Sequence, residues 1–368
     1  MPSWRQPGRD DDVPKNATIR DVAARAALSI ATVSRAITGN GAVSADSRQR
    51  VQAAIAELGF RPNTIGRSLK AARSRSVGVL VPALANPIFA ESVSGVQEVA
   101  AEHGYSVLIA STDYDPAREA RAIESLLSNR VEGLVLTVAD GDRSRSLDTL
   151  DASGTPFVLV YNETFTSGRP FVSVDNVAGV AAIIDRMAAL GHRRIAMVAG
   201  RFHQSDRSRL RHQGFRAALR AHGLAPGPVI EVDFSDLRFG AELGRIMDSA
   251  SPPTALFASN DMLALATIRT LHDLGLRVPE HVSVAGFDGI DVGTLVAPSL
   301  ATLVQPARLM GRRAMDLLFS GLAGGPRSSA VHLPFAVRMG ESLAPPSRGV
   351  GSSRIEPPTL QPKEPTPC

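Results

Sequence analysis

One cysteine stands in the 368-residue chain, and it is the last residue, Cys368. An internal disulfide framework and a cysteine-built metal cluster are thereby excluded. No apolar run reaches the roughly 18 uncharged residues of a membrane span, and the opening MPSWRQPGRDDD carries no apolar segment of a secretory signal. The expectation is a cytoplasmic protein with no membrane partner. Catalytic signatures are missing too: no G-x-G-x-x-G follows the first apolar run, and G-x-x-x-x-G-K-[ST], H-E-x-x-H and G-x-S-x-G do not occur. Those arrangements cradle phosphates, hold zinc or raise a nucleophilic serine. His103, His192, His212, His222 and His281 have no metal-ligand spacing and mostly read as surface or helix-end residues. No enzyme activity, metal or cofactor is expected.

What is present suits globular folding. Hydrophobic residues make up 44% and charged residues 21% of the chain, enough apolar surface for a core. At roughly 150 residues per domain, this length implies two or three domains. Charge is unevenly placed. Between Ala17 and Arg75 ten basic residues face three acidic ones, a net of +7, whereas the whole chain carries only +4. Residues 1–16 balance, so the remainder after Arg75 is at −3. A small basic module thus precedes a larger, mildly acidic body.

Residues 1–16 and 345–368 are rich in Pro, Ser, Gly and charge and read as disordered tails. Between them lie a helical module at 17–63, a connector at 64–75 and a body at 76–344. The body alternates β-rich apolar runs with longer amphipathic segments, the βαβ pattern of parallel sheets buried on both faces. Eight runs carry it: Val77–Val81, Ser106–Ala110, Gly133–Thr137, Phe157–Val160, Ile195–Ala199, Val229–Val232, Ala255–Ala258 and Val282–Ala285. So many strands exceed one comfortable sheet, which predicts two lobes with a cleft between them. Thr302–Pro306 and a following helix would return the chain to the first lobe. This places lobe 1 at 76–173 and 304–329, and lobe 2 at 174–303 and 330–344.

In the module, Ile19, Val22, Ala23 and Ala26 recur at i, i+3, i+4, i+7 and give the first helix one narrow apolar face. Ser29 is placed to cap a second helix only two residues after the first ends. The result is a helix-turn-helix. Val33, Ala36 and Ile37 point inward, while Ala31, Ser34, Arg35 and Thr38 form an outer stripe suited to a DNA major groove. Arginine can grip guanine through two hydrogen bonds, and hydroxyls suit phosphates. A third helix opens at Ser44 and stops at Gly59. The connector offers about nine helix-competent residues, below the 12 to 15 an isolated helix needs. Leu69, set among Arg67, Lys70, Arg73 and Arg75, is either a wedge for a minor groove or a tether residue packed on the body.

TIRDVAARAALSIATVSRAI at Thr18, NTIGRSLKAARSRSVGVLVP at Asn63, NPIFAE at Asn86, LGHRRIAMVAG at Leu190, ASNDMLALA at Ala258, GLRVPEHVSVAGFD at Gly275 and PSLATLVQP at Pro298 form an ordered series. By it, the chain resembles the lactose and purine repressor family of bacterial transcription regulators from Thr18 to about Leu343. The resemblance implies an all-α helix-turn-helix headpiece and an α/β body with the two-lobed, type I fold of periplasmic sugar-binding proteins. It also implies a homodimer on a palindromic double-stranded operator, controlled by a small-molecule effector such as a sugar, and a repressor rather than an activator. The family's base-reading positions correspond here to Ile30, Ala31 and Arg35, with Thr18, Thr32, Ser34 and Asn63 near the phosphate backbone; Leu69 is the hinge leucine. Ile30 and Ala31 offer no hydrogen bonds, so readout there would be apolar, and a helical wheel sets Ile30 at the edge of the core. In the cleft, the family pattern carries over to Phe89 as a wall, Arg211 as cationic anchor, Asn260, and Asp288 as the carboxylate accepting ligand hydroxyls or amines. Tyr161 and Asn162 follow a strand at a contact position. Asp261 either joins that set or caps the helix after its strand, and Phe89 either lines the cleft or belongs to the core.

Overall fold

The computed structural model describes residues 17–38, 41–60, 74–234, 236–325 and 329–347. Asn63, Leu69 and Lys70, nearly all of the connector and most of both tails lie outside the described residues. Contacts divide the chain into two units, Met1–Ser74 and Arg75–Cys368.

In the first unit, helices α1 (Ile19–Ala26), α2 (Ile30–Thr38) and α3 (Ala45–Leu58) pack around Val22, Val33 and Val51, each at most 1% exposed. Thr18 and Asp21 cap α1 reciprocally, and Ser44 caps α3. The turn after α1 depends on Ala27, which holds a left-handed φ of 51° while its N–H and that of Leu28 return to the last carbonyls of the helix. Arg50 of α3 donates to the carbonyls of Ala26 and Ala27 at 2.6 and 3.3 Å, pinning that turn.

The second unit holds two six-stranded sheets. The first contains β1 (Ser76–Val81), β2 (Ser106–Ser111), β3 (Gly133–Leu136), β4 (Phe157–Val160), β5 (Phe171–Ser173) and β11 (Ala330–His332). Their order is β11-β5-β4-β3-β1-β2, all parallel. The second contains β6 (Ile195–Gly200), β7 (Val229–Val232), β8 (Ala255–Ala258), β9 (Ser283–Asp288), β10 (Ala301–Val304) and β12 (Ala336–Arg338). It runs β12-β10-β9-β8-β6-β7 and is parallel except for β12. Helices α4 (Pro87–Glu102), α5 (Pro116–Ser128), α6 (Arg145–Ser153) and α12 (Ala307–Leu322) cover the first sheet, while α7 (Asn176–Ala189), α8 (Asp206–Ala221), α9 (Gly240–Met247) and α10 (Asp261–Asp273) cover the second. A single turn, α11 (Val292–Leu295), follows β9. Among the described residues, no helix is long and apolar enough to cross a membrane.

The chain passes between lobes three times, after β5, β10 and β11. The last passage corrects the expected lobe boundary. The sequence places residues 330–332 in lobe 2, but Ala330–His332 pairs with Phe171–Ser173 in the first sheet. Three residues at a sheet edge leave too little periodicity to assign a side. Helices α4 and α12 approach so closely that a Cβ on Gly95 would lie 2.0 Å from the Arg308 carbonyl oxygen, and one on Gly311 1.9 Å from that of Ser92. Glu98 ties the pair by accepting from both Arg308 and Arg312.

Both sheets reverse their winding direction: β1 lies between β2 and β3, and β6 between β7 and β8. Such switch points open a crevice at the carboxyl ends of the strands, where α/β folds hold ligands. Asn86 and Phe89 follow β1, Tyr161 follows β4, Arg211 lies on the helix after β6, Asn260 follows β8, and Asp288 ends β9.

Candidate functional site

On α2, Ser29 accepts the Thr32 N–H at 3.1 Å and lies 2.9 Å, hydroxyl to hydroxyl, from Thr32. Ser29, Ile30, Ala31 and Arg35 are exposed, as is Thr18 at the start of α1, while Thr32 and Ser34 are half-buried. Ile30 is 47% exposed, not at the core edge where the helical wheel sets it. Arg35 folds back to donate to the Ala31 carbonyl at 3.2 Å. Of the predicted stripe, Ala31 and Arg35 are exposed and Ser34 is half-buried on a helix capped by Ser29; the Thr38 side chain lies outside the described residues.

In the second unit, Phe89, Tyr161, Arg211, Asn260 and Asp288 come together around a cavity of about 20 Å³, the room of a single water. Phe89 meets Tyr161 edge to face with ring centroids 5.4 Å apart, and the Tyr161 hydroxyl donates to the Ile88 carbonyl at 2.8 Å. Arg211 is buried: it donates to Asn176 at 2.7 Å, to the Ser259 carbonyl and to Asp288 at 3.5 Å, and it stands 3.7 Å above the Phe287 ring. Burial pushes the Asp288 carboxyl up to about 7 against the pull of Arg211, and the Asp261 charge raises it further. Gln305 donates to Asp288 at 2.8 Å. Tyr161 and Asp288 both have left-handed backbones, φ 69° and 134°. Strain of that kind gathers where surrounding structure fixes a functional side chain.

Two expected residues do not line the cavity. Asn162 is fully buried beside it, its amide bonded to the Val138 N–H at 3.0 Å, the Val138 carbonyl at 2.9 Å and Asp206 at 2.7 Å. Asp261 accepts the N–H groups of Gly289 and Ile290 at 2.7 and 2.9 Å and the Thr302 hydroxyl at 2.5 Å, so it braces the loop after β9 instead of facing a ligand. In both cases the preceding residue faces the cleft. Asn260 does so while also capping α10 through the Leu263 N–H at 2.7 Å.

The cavity wall also includes Asn86, Tyr114, Ser205, Arg207, Ser208, Phe234 and Gln305, which sequence reasoning missed. Burial holds the Tyr114 hydroxyl up at about 12, so it stays a donor at neutral pH. The lobes are closed against each other by polar bonds: Asp206 N–H to the Ala139 carbonyl at 2.8 Å, Gly141 N–H to the Asp206 carboxylate at 2.9 Å, and Arg209 to Asp140 at 2.5 Å.

A capped helix-turn-helix unit and a two-lobed α/β unit with a polar, aromatic-walled cleft define a ligand-responsive DNA-binding regulator as the class. Residues 18–63 match "Bacterial regulatory proteins, lacI family" and residues 184–343 match "Periplasmic binding protein-like domain". The HTH-type transcriptional repressor CytR of Escherichia coli is 33% identical over 311 residues, 84% of this chain and 90% of that protein. The lac repressor dimer bound to operator and the anti-inducer ONPF is similar with a TM-score of 0.79 and 27% identity, covering 90% of this chain and all of that one. The complex of the transcriptional regulator CelR with cellobiose has a TM-score of 0.65 and 30% identity over 89% and 99% of the two chains. The chain belongs to the lacI family. It is a DNA-binding transcription regulator with an effector-binding unit, and its relatives are regulators, not enzymes.

Proposed function

We propose that this protein is a cytoplasmic, homodimeric repressor that binds a palindromic operator and releases it when a sugar or related metabolite enters the cleft. The observation that carries this reading is the buried Arg211–Asp288 pair beneath the walls of Phe89 and Tyr161. A cation and a carboxylate converging from different strand ends beside aromatic rings suit a small polyhydroxylated ligand. Support comes from the cellobiose complex of CelR and the operator-bound lac repressor dimer. Leu295 and Val292, 82% and 41% exposed, offer apolar surface for a second copy.

Residues 17–63 form the headpiece in this reading, with Ile30, Ala31 and Arg35 at base edges and Thr18, Ser29, Thr32, Ser34 and Asn63 near phosphates. Residues 64–75 form the hinge, where Leu69 is the wedge and Lys70 a phosphate contact. Effector binding changes how the first lobes of the dimer present the two hinges, which raises the entropic cost of folding them on DNA. Coupling of this kind is reciprocal and typically about 1–3 kcal/mol, so operator should weaken effector by the same factor. The test selects bound sites from random DNA with and without a library of sugars. Palindromic sites lost on adding one compound support the reading; sites gained reverse its sign, and no preferred duplex under any compound refutes it. Leu69→Ala should weaken operator binding and leave effector affinity nearly intact; unchanged operator affinity removes the wedge.

A further inference from the structure

Arg207 lines the cleft at 6% exposure, and its guanidinium is only partly engaged. Nη1 donates to the Val138 carbonyl at 2.9 Å and lies 3.2 Å from Asp206, whereas Nη2 is buried with no hydrogen-bond partner. Two other buried side-chain atoms among the described residues share that condition, on Gln204 and Arg338, and neither residue lines this cavity. A buried cationic donor left unpaired forfeits its hydration with no return. Among the residues lining the cavity the cations are Arg207 and Arg211 and the carboxylate is Asp288, while Asp206, outside that lining, pairs with Arg207 through Nη1 at 3.2 Å. Arg211 is already met by Asn176, the Ser259 carbonyl and Asp288, so the guanidinium donor without an acceptor at this cavity is Nη2 of Arg207. Burial, which favours the neutral form of Asp288, lessens its repulsion of an anion.

We infer that the effector is a monosaccharide bearing an anionic oxygen group, either carboxylate or phosphate, and that Arg207 selects it through its free guanidinium edge. This rests on the cleft being the effector site proposed above. A charge-assisted hydrogen bond to such a group is about twice as strong as one to a neutral hydroxyl. Because Nη1 of the same guanidinium reaches Val138 in the other lobe, an anion held on Nη2 also reinforces lobe closure.

The test measures thermal stabilisation, calorimetric affinity and release from a selected operator for matched probes: D-gluconate, D-glucuronate, D-glucose 6-phosphate and D-glucose, with the galactose and ribose counterparts. The full-length protein, R207Q and R207K are compared. At least one acid or phosphate should bind tenfold or more tighter than its neutral parent. R207Q should bring that ratio to within about threefold, and R207K, which keeps the charge without the fork, should retain part of it. Acids and phosphates report the two sources of the anion separately. A neutral sugar binding as tightly as its anions, a preference surviving R207Q, or no anion binding overturns the inference. The first result is also that expected if a buried water meets Nη2 together with the unpartnered Gln204 oxygen. In each case operator release by any neutral compound leaves the proposed function standing, so the two fail separately. If R207Q does not fold, R207K decides: an anion preference undiminished there overturns the inference, and a reduced one supports it.

Discussion

Tyr114, which follows β2 in the first lobe, stacks on Phe234, which follows β7 in the second, with ring centroids 4.2 Å apart and planes 26° from parallel. Phe234 can reach across because Gly200 carries no side chain: a Cβ there would lie 1.9 Å from Phe234 Cζ. Such a pair contributes about 0.5–1.5 kcal/mol beyond its buried area. Phe234→Ala should therefore shift the lobes toward an open form, weaken the effector several-fold and enlarge the radius of gyration in solution scattering. Gly200→Ala should do the same by expelling the ring. Scattering curves indistinguishable from the unaltered protein would show that the stack does not hold the lobes closed.

Protonation of Asp288 should be visible in stability. An acid whose folded pKa is raised from 3.8 to about 7 holds its proton more tightly folded than unfolded. Stability on its account is full below about pH 4 and falls as pH rises through about 7. Asp206, Asp261 and Glu119 are raised by burial in the same sense, and His192 is lowered, so the comparison must isolate one group. The melting temperature of Asp288→Asn relative to the unaltered protein should climb between about pH 4 and pH 7.5. A difference that stays constant over that range would contradict the raised carboxyl.

Arg35→Ala should cost roughly 1–3 kcal/mol of specific binding, confined to one base pair per half-site. Arg35 is exposed on α2, where its guanidinium donates to the Ala31 carbonyl. Affinities across a library of single-base operator variants measure this. Equal loss on every sequence would assign Arg35 to phosphate contact.

Gly95→Ala should destabilise the first lobe by about 1–3 kcal/mol or more, because its Cβ meets a backbone carbonyl that no rotamer change can move. Thermal denaturation should show a melting temperature lower by several degrees. Gly59→Ala is a useful contrast: nothing lies within 4 Å of its Cβ, and its cost would come from φ 59° alone.

All eight apolar runs expected as strands form strands, and Gly104, Gly191, Gly223 and Gly275 each take a left-handed backbone just after a helix. These signals are local, so periodicity and capping chemistry reveal them. β5, β10, β11 and β12, three or four residues each, escape that reading because so short a run shows no periodicity of its own and is set by its neighbours' backbones; β11 and β12 stand at sheet edges. Of the thirteen residues lining the cavity, the motifs point to five, Phe89, Tyr161, Arg211, Asn260 and Asp288. Asn162 and Asp261 misled because adjacent residues at a strand end point to opposite sides, and only one of each pair can face a ligand.

Charge asymmetry, helical and strand periodicity, cap residues and the ordered motifs by themselves determined a basic helix-turn-helix unit ahead of an α/β body, since each depends on neighbours a few positions away. Only the tertiary structure decided which lobe Ala330–His332 joins, that Tyr114 meets Phe234, and that Arg207 keeps a nitrogen unmet inside the cleft. Those facts depend on side chains tens to hundreds of residues apart being brought within a few ångströms, and on burial removing the water that would otherwise have satisfied them.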